Sequence, residues 1–160
     1  MATSSAKGKT RHSNGYSDLT SRPPRSPRVR LGGFVILARV IDKGRATLRR
    51  KNGDYNYNCP LDRHFFQYVG VDAVAMLKQL SLDKGDGEIL QWVHANSTTK
   101  PNPWQIAAWS AYHEQRGPTD IESRVFFNKY HRDVGPNRED IAGWFDVLDL
   151  DDFVSFGGKA

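Results

Sequence analysis

The stretch SRPPRSPRVRLGGFVILARVIDKGRATL, residues 21–48, decides the fold. Its three prolines fix the backbone dihedral φ and push the preceding residues toward extended geometry, so we predict an ordered arm over residues 18–30 and not a helix. After Gly32 and Gly33, apolar side chains recur at the spacing of one helix face. They are Phe34, Leu37, Ile41 and Leu48. We therefore expect a helix that begins after the glycines and turns this stripe toward the core.

The predicted helix also carries a glycine and a row of basic residues. Gly44 lies on the apolar stripe, where it weakens an isolated helix by about 1 kcal/mol relative to Ala, and we expect another element to approach closely there. The basic residues are Arg39, Lys43 and Arg50, flanked by Arg45 and Arg49. An amphipathic helix places charge on its outer side, so a solvated basic face is the first interpretation and a ligand pocket the second.

The remaining sequence predicts further helices and no sheet. Apolar spacing and capping residues place them at residues 61–68, 71–80, 88–94, 102–115 and 119–130, with a last helix opened by Asn137. Alternating Tyr and Asn over residues 54–59 predict one short extended stretch. Since strands and helices do not alternate, we predict a mainly α protein, a single irregular bundle of six or seven helices with at most one short extended stretch.

Charge is distributed unevenly along the 160 residues. Residues 1–51 contain 13 Lys and Arg against 2 Asp, whereas residues 52–160 contain 10 Lys and Arg against 16 Asp and Glu. Residues 1–17 are polar and basic, which predicts a disordered tail, and residues 18–160 should form one helical domain, with the arm followed by a body over 31–160. The arm either reaches an anionic partner or folds onto the acidic end of the chain.

If the arm folds onto the acidic end of the chain, specific ion pairs are expected. Arg28 or Arg30 should then lie near an acidic residue of the last helix: Asp146, Asp149, Asp151 or Asp152. The alternatives are that these carboxylates are exposed to solvent or that they bind a metal ion. No EF-hand loop, zinc-ligand spacing, phosphate-binding loop or nucleophile elbow occurs in the sequence, so we expect no metal and no cofactor.

Several sequence blocks together resemble one bacterial family. They are RPPRSPR at residues 22–28, LGG at 31–33, IDKGRA at 41–46, YNCPLD at 57–62, DGE at 86–88, WSAY at 109–112 and WFD at 144–146. This set is similar to the proteins catalogued as domain of unknown function 5069, over roughly residues 18–159. The resemblance implies a compact domain that stands alone, and it carries over no activity, cofactor or catalytic residue.

Two residue types have both structural and functional interpretations. Cys59, with Asp62 and His64 nearby in the sequence, is interpreted as a small buried residue in preference to a catalytic nucleophile. As the single cysteine, it excludes an internal disulfide and fits a reducing compartment. The four tryptophans, Trp92, Trp104, Trp109 and Trp144, are interpreted as core residues.

The charge pattern supports hypotheses about function. Without a signal peptide or a membrane-spanning run, we expect a soluble cytoplasmic domain that binds an anionic small molecule or a protein partner, or an enzyme that its motifs do not reveal. The candidate ligand-binding residues are Arg28, Arg30, Arg39, Lys43, Arg45, Tyr57, Asn58 and Asp62. The alternative is a nucleic-acid-binding protein that uses the basic arm, with weak and nonspecific binding.

Overall fold

The computed structural model describes residues 18–160, and the predicted disordered tail at residues 1–17 lies outside them. The described residues form seven helices and no strand: α1 (Leu37–Leu48), α2 (Pro60–Val69), α3 (Ala73–Leu80), α4 (Asp86–Asn96), α5 (Pro103–Gln115), α6 (Ile121–Val134) and α7 (Trp144–Ser155). An isolated antiparallel bridge joins Leu31 to Phe34. The mainly α class and the number of helices are confirmed.

Helix α1 is buried on almost every side. Nine of its twelve residues are buried, and its apolar side chains join a core that includes Phe65 of α2 and Met76 of α3. The interpretation of a solvated basic face is wrong for Arg39 and Lys43, which are each 3% exposed. Charged groups tolerate burial only when they are paired and hydrogen-bonded, so the fold must bring carboxylates to α1.

Helix α1 begins later than the apolar pattern predicts. Gly32 and Gly33 adopt φ values of 59° and 85°, and Ile36 adopts 70°, so residues 31–36 form tight turns. A β-branched residue at positive φ is rare and strained. Ile36 is held there by its N–H, which donates to Pro27 O at 2.8 Å, and by complete burial. The turns leave Leu37 as the first helical residue.

Gly44 confirms the predicted close approach. A Cβ built on this residue would lie 2.5 Å from Leu80 Cδ1 and 3.1 Å from Tyr57 Cε2. The absence of a side chain therefore lets α3 and residue 57 pack directly against α1. The glycine lowers the helix propensity but brings the neighbouring elements into contact.

Capping residues set most of the other helix boundaries. Asp72 accepts the N–H of Ala75 at 2.8 Å, and Asn102 accepts that of Gln105 at 3.0 Å. Helix α6 is capped by Asp120 and begins at Ile121, two residues after the predicted start at residue 119. Helix α7 does not open at Asn137: it begins seven residues later, where the N–H of Gly143 donates to Asp146 Oδ2 at 2.7 Å.

Aromatic residues are less buried than the sequence predicted. Trp104 is 77% exposed, and Trp92, Trp109 and Trp144 are half-buried. Helix α6 is sparsely covered by the rest of the protein, because Phe127 is its only buried residue. Its other rings and branched side chains are at least partly exposed. The Tyr and Asn stretch at residues 54–59 forms turns in place of the predicted extended segment.

The arm over residues 18–30 follows α1 without forming a helix, as predicted. Near its start, the Leu19 N–H donates to Lys51 O at 2.7 Å, and Leu19 itself is buried. Near its middle, the Arg25 N–H donates to the Asp42 carboxylate at 2.9 Å. The arm therefore covers the polar side of α1 and delivers charged partners to it.

Candidate functional site

The arm is linked to the acidic helix α7 by the predicted type of ion pair. Arg28 Nη1 lies 2.7 Å from Asp149 Oδ2, and Arg28 Nη2 lies 2.5 Å from Asp146 Oδ1. Burial alone would lower the pKa of Arg28, but its hydrogen bonds to Asp149 and Asp146 outweigh burial and raise it. Arg30 pairs instead with Glu114 of α5, at 2.9 Å. Internal pairing is thus confirmed for Arg28.

Three charged side chains of α1 enter the interior, and each meets an opposite charge. The pairs are Arg39 with Asp152 at 2.6 Å, Asp42 with Arg25 at 2.7 Å, and Lys43 with Asp62 at 2.7 Å. Their counter-charges come from α7, the arm and α2, respectively. Such pairs stabilise little compared with apolar residues of the same volume, but losing one partner leaves an uncompensated buried charge.

The Arg39–Asp152 pair is also bonded to Tyr55. Arg39 approaches both carboxylate oxygens of Asp152, at 2.6 and 3.1 Å, and the Tyr55 hydroxyl donates to Asp152 Oδ1 at 2.8 Å. Burial, and then the hydrogen bond to Asp152, raise the pKa of Tyr55. Burial opposes the charge on Arg39, but Asp152 outweighs it and raises the pKa of Arg39. Tyr55 and Arg39 therefore both keep their protons near neutral pH.

A second ionic cluster lies around Arg25. Its guanidinium bonds to Asp42 and also to Asp86 Oδ2, at 2.6 Å, while Arg45 bonds to Asp86 Oδ1 at 2.7 Å. Burial raises the pKa of Asp42 despite its pairing with Arg25. For Asp86 the balance is reversed, because bonds to Arg25 and Arg45 outweigh burial and lower its pKa. Arg45 is thus engaged in joining α1 to α4.

A cleft of about 700 Å³ opens beside the cluster of Arg39, Asp152 and Tyr55. It lies between α1, the turns at residues 53–59, the end of α6 and α7. Arg39, Lys43 and Cys59 line it, together with Tyr55 and two acidic residues, Asp54 and Asp151. The lining therefore contains two cations and two carboxylates.

Lys43 is one of the residues that line this cleft. Its ammonium donates to Asp62 Oδ1 at 2.7 Å and to Cys59 Sγ at 3.2 Å. Among the described residues, its third N–H has no hydrogen-bond partner. Asp62 is fully buried, and its Oδ2 likewise has no partner within the described part of the chain. Lys43 thus presents a donor that a bound molecule can use.

The structure gathers some of the predicted ligand-binding residues and separates others. Arg39 and Lys43 line the cleft, and Asp62 is the buried partner of Lys43 but does not line the cleft itself. Asn58 does not line it either, although the next residue, Cys59, does. Arg28, Arg30 and Arg45 pair with carboxylates elsewhere. The Tyr57 hydroxyl donates to Ala73 O at 2.8 Å, which joins residue 57 to α3.

Sequence reasoning missed several residues of the cleft. The sequence did not indicate Tyr55 or Tyr130 as binding residues. It suggested Asp62 and His64 as neighbours of Cys59, but not Lys43. The spacing of four between Arg39 and Lys43 was a usable signal, because it places both on one side of a helix. In residues 18–160, no group of three or more His, Cys, Asp or Glu residues is arranged to hold a metal ion. No helix in this range is long and apolar enough to cross a membrane.

These features define a small all-helical domain whose central helix carries buried charges, two of which, Arg39 and Lys43, line a polar cleft. The chain belongs to the family described as domain of unknown function (DUF5069), whose model matches residues 21–154. This match confirms the resemblance and includes the arm from residue 21, helices α1 to α6 and nearly all of α7. No curated protein matches the chain. The family description specifies no activity, so any function must be argued from the cleft.

Proposed function

We propose that the protein binds a small organic molecule in the cleft between α1 and α7, through a carboxylate or similar oxygen anion held by Lys43. The observation that carries this proposal is Lys43, which lines the cleft and whose ammonium makes two hydrogen bonds to described residues although it has three donors. The volume of about 700 Å³ is within the range of roughly 300–1,000 Å³ of small-molecule sites. The proposal also places the protein in a bacterial cytoplasm, where Cys59 stays reduced.

The charges of the cleft narrow the class of ligand. Arg39 and Lys43 are already paired with Asp152 and Asp62, and Asp54 and Asp151 add negative charge to the lining. A molecule with several negative charges would meet repulsion there, whereas one with a single anionic group and an amine would match both signs. Amino carboxylates should therefore bind more tightly than dicarboxylates or inorganic phosphate.

Calorimetric titration of such compounds tests the proposal. We expect an amino carboxylate from a panel of short-chain compounds to bind with a Kd of about 1 mM or tighter, and succinate or inorganic phosphate to bind more weakly. The double variant K43M/D62N removes both charges of the pair, which limits the damage to folding, and it should abolish binding. Lys78 is exposed, so K78M serves as the matched control. Binding that survives in folded K43M/D62N, or no binding by any compound, would contradict the proposal.

A protein partner is a second candidate, favoured by the exposed apolar face of α6. Ile121, Val125 and Phe126 are 86%, 64% and 61% exposed. If two copies cross antiparallel at Val125, Glu122 of one lies opposite Lys129 of the other, a self-complementary arrangement. We therefore expect a dimer in sedimentation velocity that V125E dissociates. A monomer at all concentrations tested would reject this candidate.

Nucleic-acid binding has less support among the described residues. Arg25, Arg28 and Arg30 of the arm all bond to carboxylates of the same chain, and phosphate groups would have to compete with these partners. We expect duplex DNA to bind weakly and to dissociate when salt is added.

A further inference from the structure

We propose that Cys59 is a nucleophile that accepts an acyl group from small activated esters, forming a thioester in the same cleft. This inference rests on the proposed function in one respect, that the cleft admits small molecules. Its chemistry rests independently on the start of α2, on Lys43 beside the sulfur, and on the carboxylate that holds Lys43.

The first group is the start of α2. Cys59 is the residue immediately before this ten-residue helix, and Pro60 occupies its first position. The Cys59 side chain makes no capping hydrogen bond, so the thiol is not engaged by the helix that follows it. Unbonded N–H groups and the helix dipole make such a position favourable for negative charge, and cysteines at helix N-termini are often reactive for this reason.

The second group is the Lys43 ammonium, at 3.2 Å from Cys59 Sγ. Asp62 holds it from the other side, and the Lys43 side chain is only 3% exposed. A cation fixed beside sulfur stabilises the thiolate, which is the nucleophilic form of cysteine. Since Lys43 comes from α1 and Cys59 from the turn before α2, folding alone assembles this pair.

The third group is the carboxylate of Asp62. It is fully buried, and its Oδ2 has no hydrogen-bond partner among the described residues. Nearly all buried polar atoms in folded proteins are hydrogen-bonded. Asp62 Oδ1 holds Lys43 beside the sulfur, so the open Oδ2 belongs to the carboxylate behind the ammonium and marks a buried polar position that the described residues leave incomplete. It is an observation separate from the helix terminus and from the cysteine.

The reaction balances with these residues alone. The Cys59 thiolate attacks the carbonyl carbon of an ester, a C–S bond forms, and the π electrons move to the carbonyl oxygen. Backbone N–H groups of Leu61 and Asp62, in the uncapped first turn of α2, are the available donors to this oxyanion. The oxyanion collapses, the bond to the leaving oxygen breaks, and Lys43 supplies a proton where the leaving group is too basic to depart as an anion. Water then hydrolyses the thioester, which returns the thiol and releases the carboxylic acid.

The test uses the full chain with 4-nitrophenyl acetate, and it benefits from the single cysteine of the sequence. Intact-mass spectrometry should show one acetyl group, which peptide mapping places on Cys59. Acetylation of the folded protein should be about tenfold or more faster than that of the same chain unfolded in urea. In the unfolded chain the Cys59 thiol no longer lies beside Lys43 or at the start of a helix. The comparison therefore needs no substitution.

Variants test whether the Lys43–Asp62 pair accelerates the acetylation of Cys59. K43M/D62N should slow acetylation of the folded protein toward the rate of the unfolded chain, and K78M should leave it unchanged. Folded Cys59 that reacts no faster than unfolded Cys59, or an acetyl group on another residue, would overturn the proposal. Because 4-nitrophenyl acetate carries no anionic group, its reaction does not depend on anion binding. Fast acetylation without amino carboxylate binding would reject the proposed function alone, and slow acetylation with binding would reject this inference alone.

Discussion

The buried Arg39–Asp152 pair should show strong energetic coupling. The exposed fractions of its side chains are 4% and 8%, so removing one partner leaves the other charge buried and uncompensated. One-sided loss of a buried pair destabilises a protein by about 3–5 kcal/mol. We expect R39M and D152L each to lower the free energy of unfolding by that amount, a large part of the roughly 5–15 kcal/mol typical of a domain.

The double variant R39M/D152L should be far more stable than the sum of the single effects predicts. Both charges are then absent, and the remaining defects are the Arg25 carbonyl, which loses its Arg39 donor at 3.2 Å, and the Tyr55 hydroxyl, which loses its acceptor at 2.8 Å. An unsatisfied buried hydroxyl costs about 1–3 kcal/mol, and adding Y55F should recover most of it. The expected coupling between positions 39 and 152 is therefore at least about 3 kcal/mol.

Urea denaturation followed by circular dichroism measures these free energies. The exposed pair Lys129–Asp133, whose side chains are 71% and 56% exposed, provides a second cycle that should show much weaker coupling. Equal coupling in the two cycles would refute the argument that burial makes the Arg39–Asp152 pair indispensable. A strongly destabilised double variant that Y55F does not rescue would refute it as well.

Three further predictions concern packing, pH and the arm. G44A should destabilise the protein by about 1–3 kcal/mol, since its Cβ would meet Leu80, whereas G87A, with no atom within 4 Å of the new Cβ, should be neutral or stabilising in urea denaturation; equal effects would contradict the close approach. Burial, and then the charges of His64 and Arg116, lower the pKa of His113 to about 4. The unfolded chain therefore takes up this proton more readily, and stability should be complete above about pH 6.5 and fall as the pH decreases toward 4, by about 1–2 kcal/mol at pH 5. H113F should flatten this dependence and the exposed control H94F should not; an unchanged profile in H113F would reject this assignment. Arg28 and Asp149 are 38% and 33% exposed, so a double-mutant cycle should give a coupling of about 1 kcal/mol or less, and a larger value would show that the arm contributes more than its exposure suggests.

Local features of the fold could be predicted where a short segment contains its own physical cause. Asn102 caps α5 because its side chain reaches an N–H three residues on, and Gly44 signals close packing because nothing else explains a glycine on an apolar stripe. The start of α7 could not be predicted in this way. Its capping bonds come from Asp146 inside the helix to the backbone of Gly143 and Ala142, so no distinctive capping side chain precedes the first turn.

The cleft could be predicted only in part, because its residues are distant in the sequence. Helical spacing places Arg39 and Lys43 on one side of α1, but it cannot show that Asp152 or the arm covers that side. A charge on a helix is usually solvated, and that general expectation was wrong here. For Cys59, sequence neighbours suggested Asp62 and His64, whereas the group that approaches the sulfur comes from α1.

The 113 residues that separate Arg39 from Asp152 have a consequence for how the chain is synthesised. At about 5–20 residues per second, α7 is made roughly 6–23 s after α1. During that interval Arg39 lacks the carboxylate that permits its burial, although Arg25 and Asp62, the partners of Asp42 and Lys43, are made close to α1. The polar side of the central helix therefore cannot complete its packing until α7 has been made, whereas its apolar residues can pack earlier against α2 and α3.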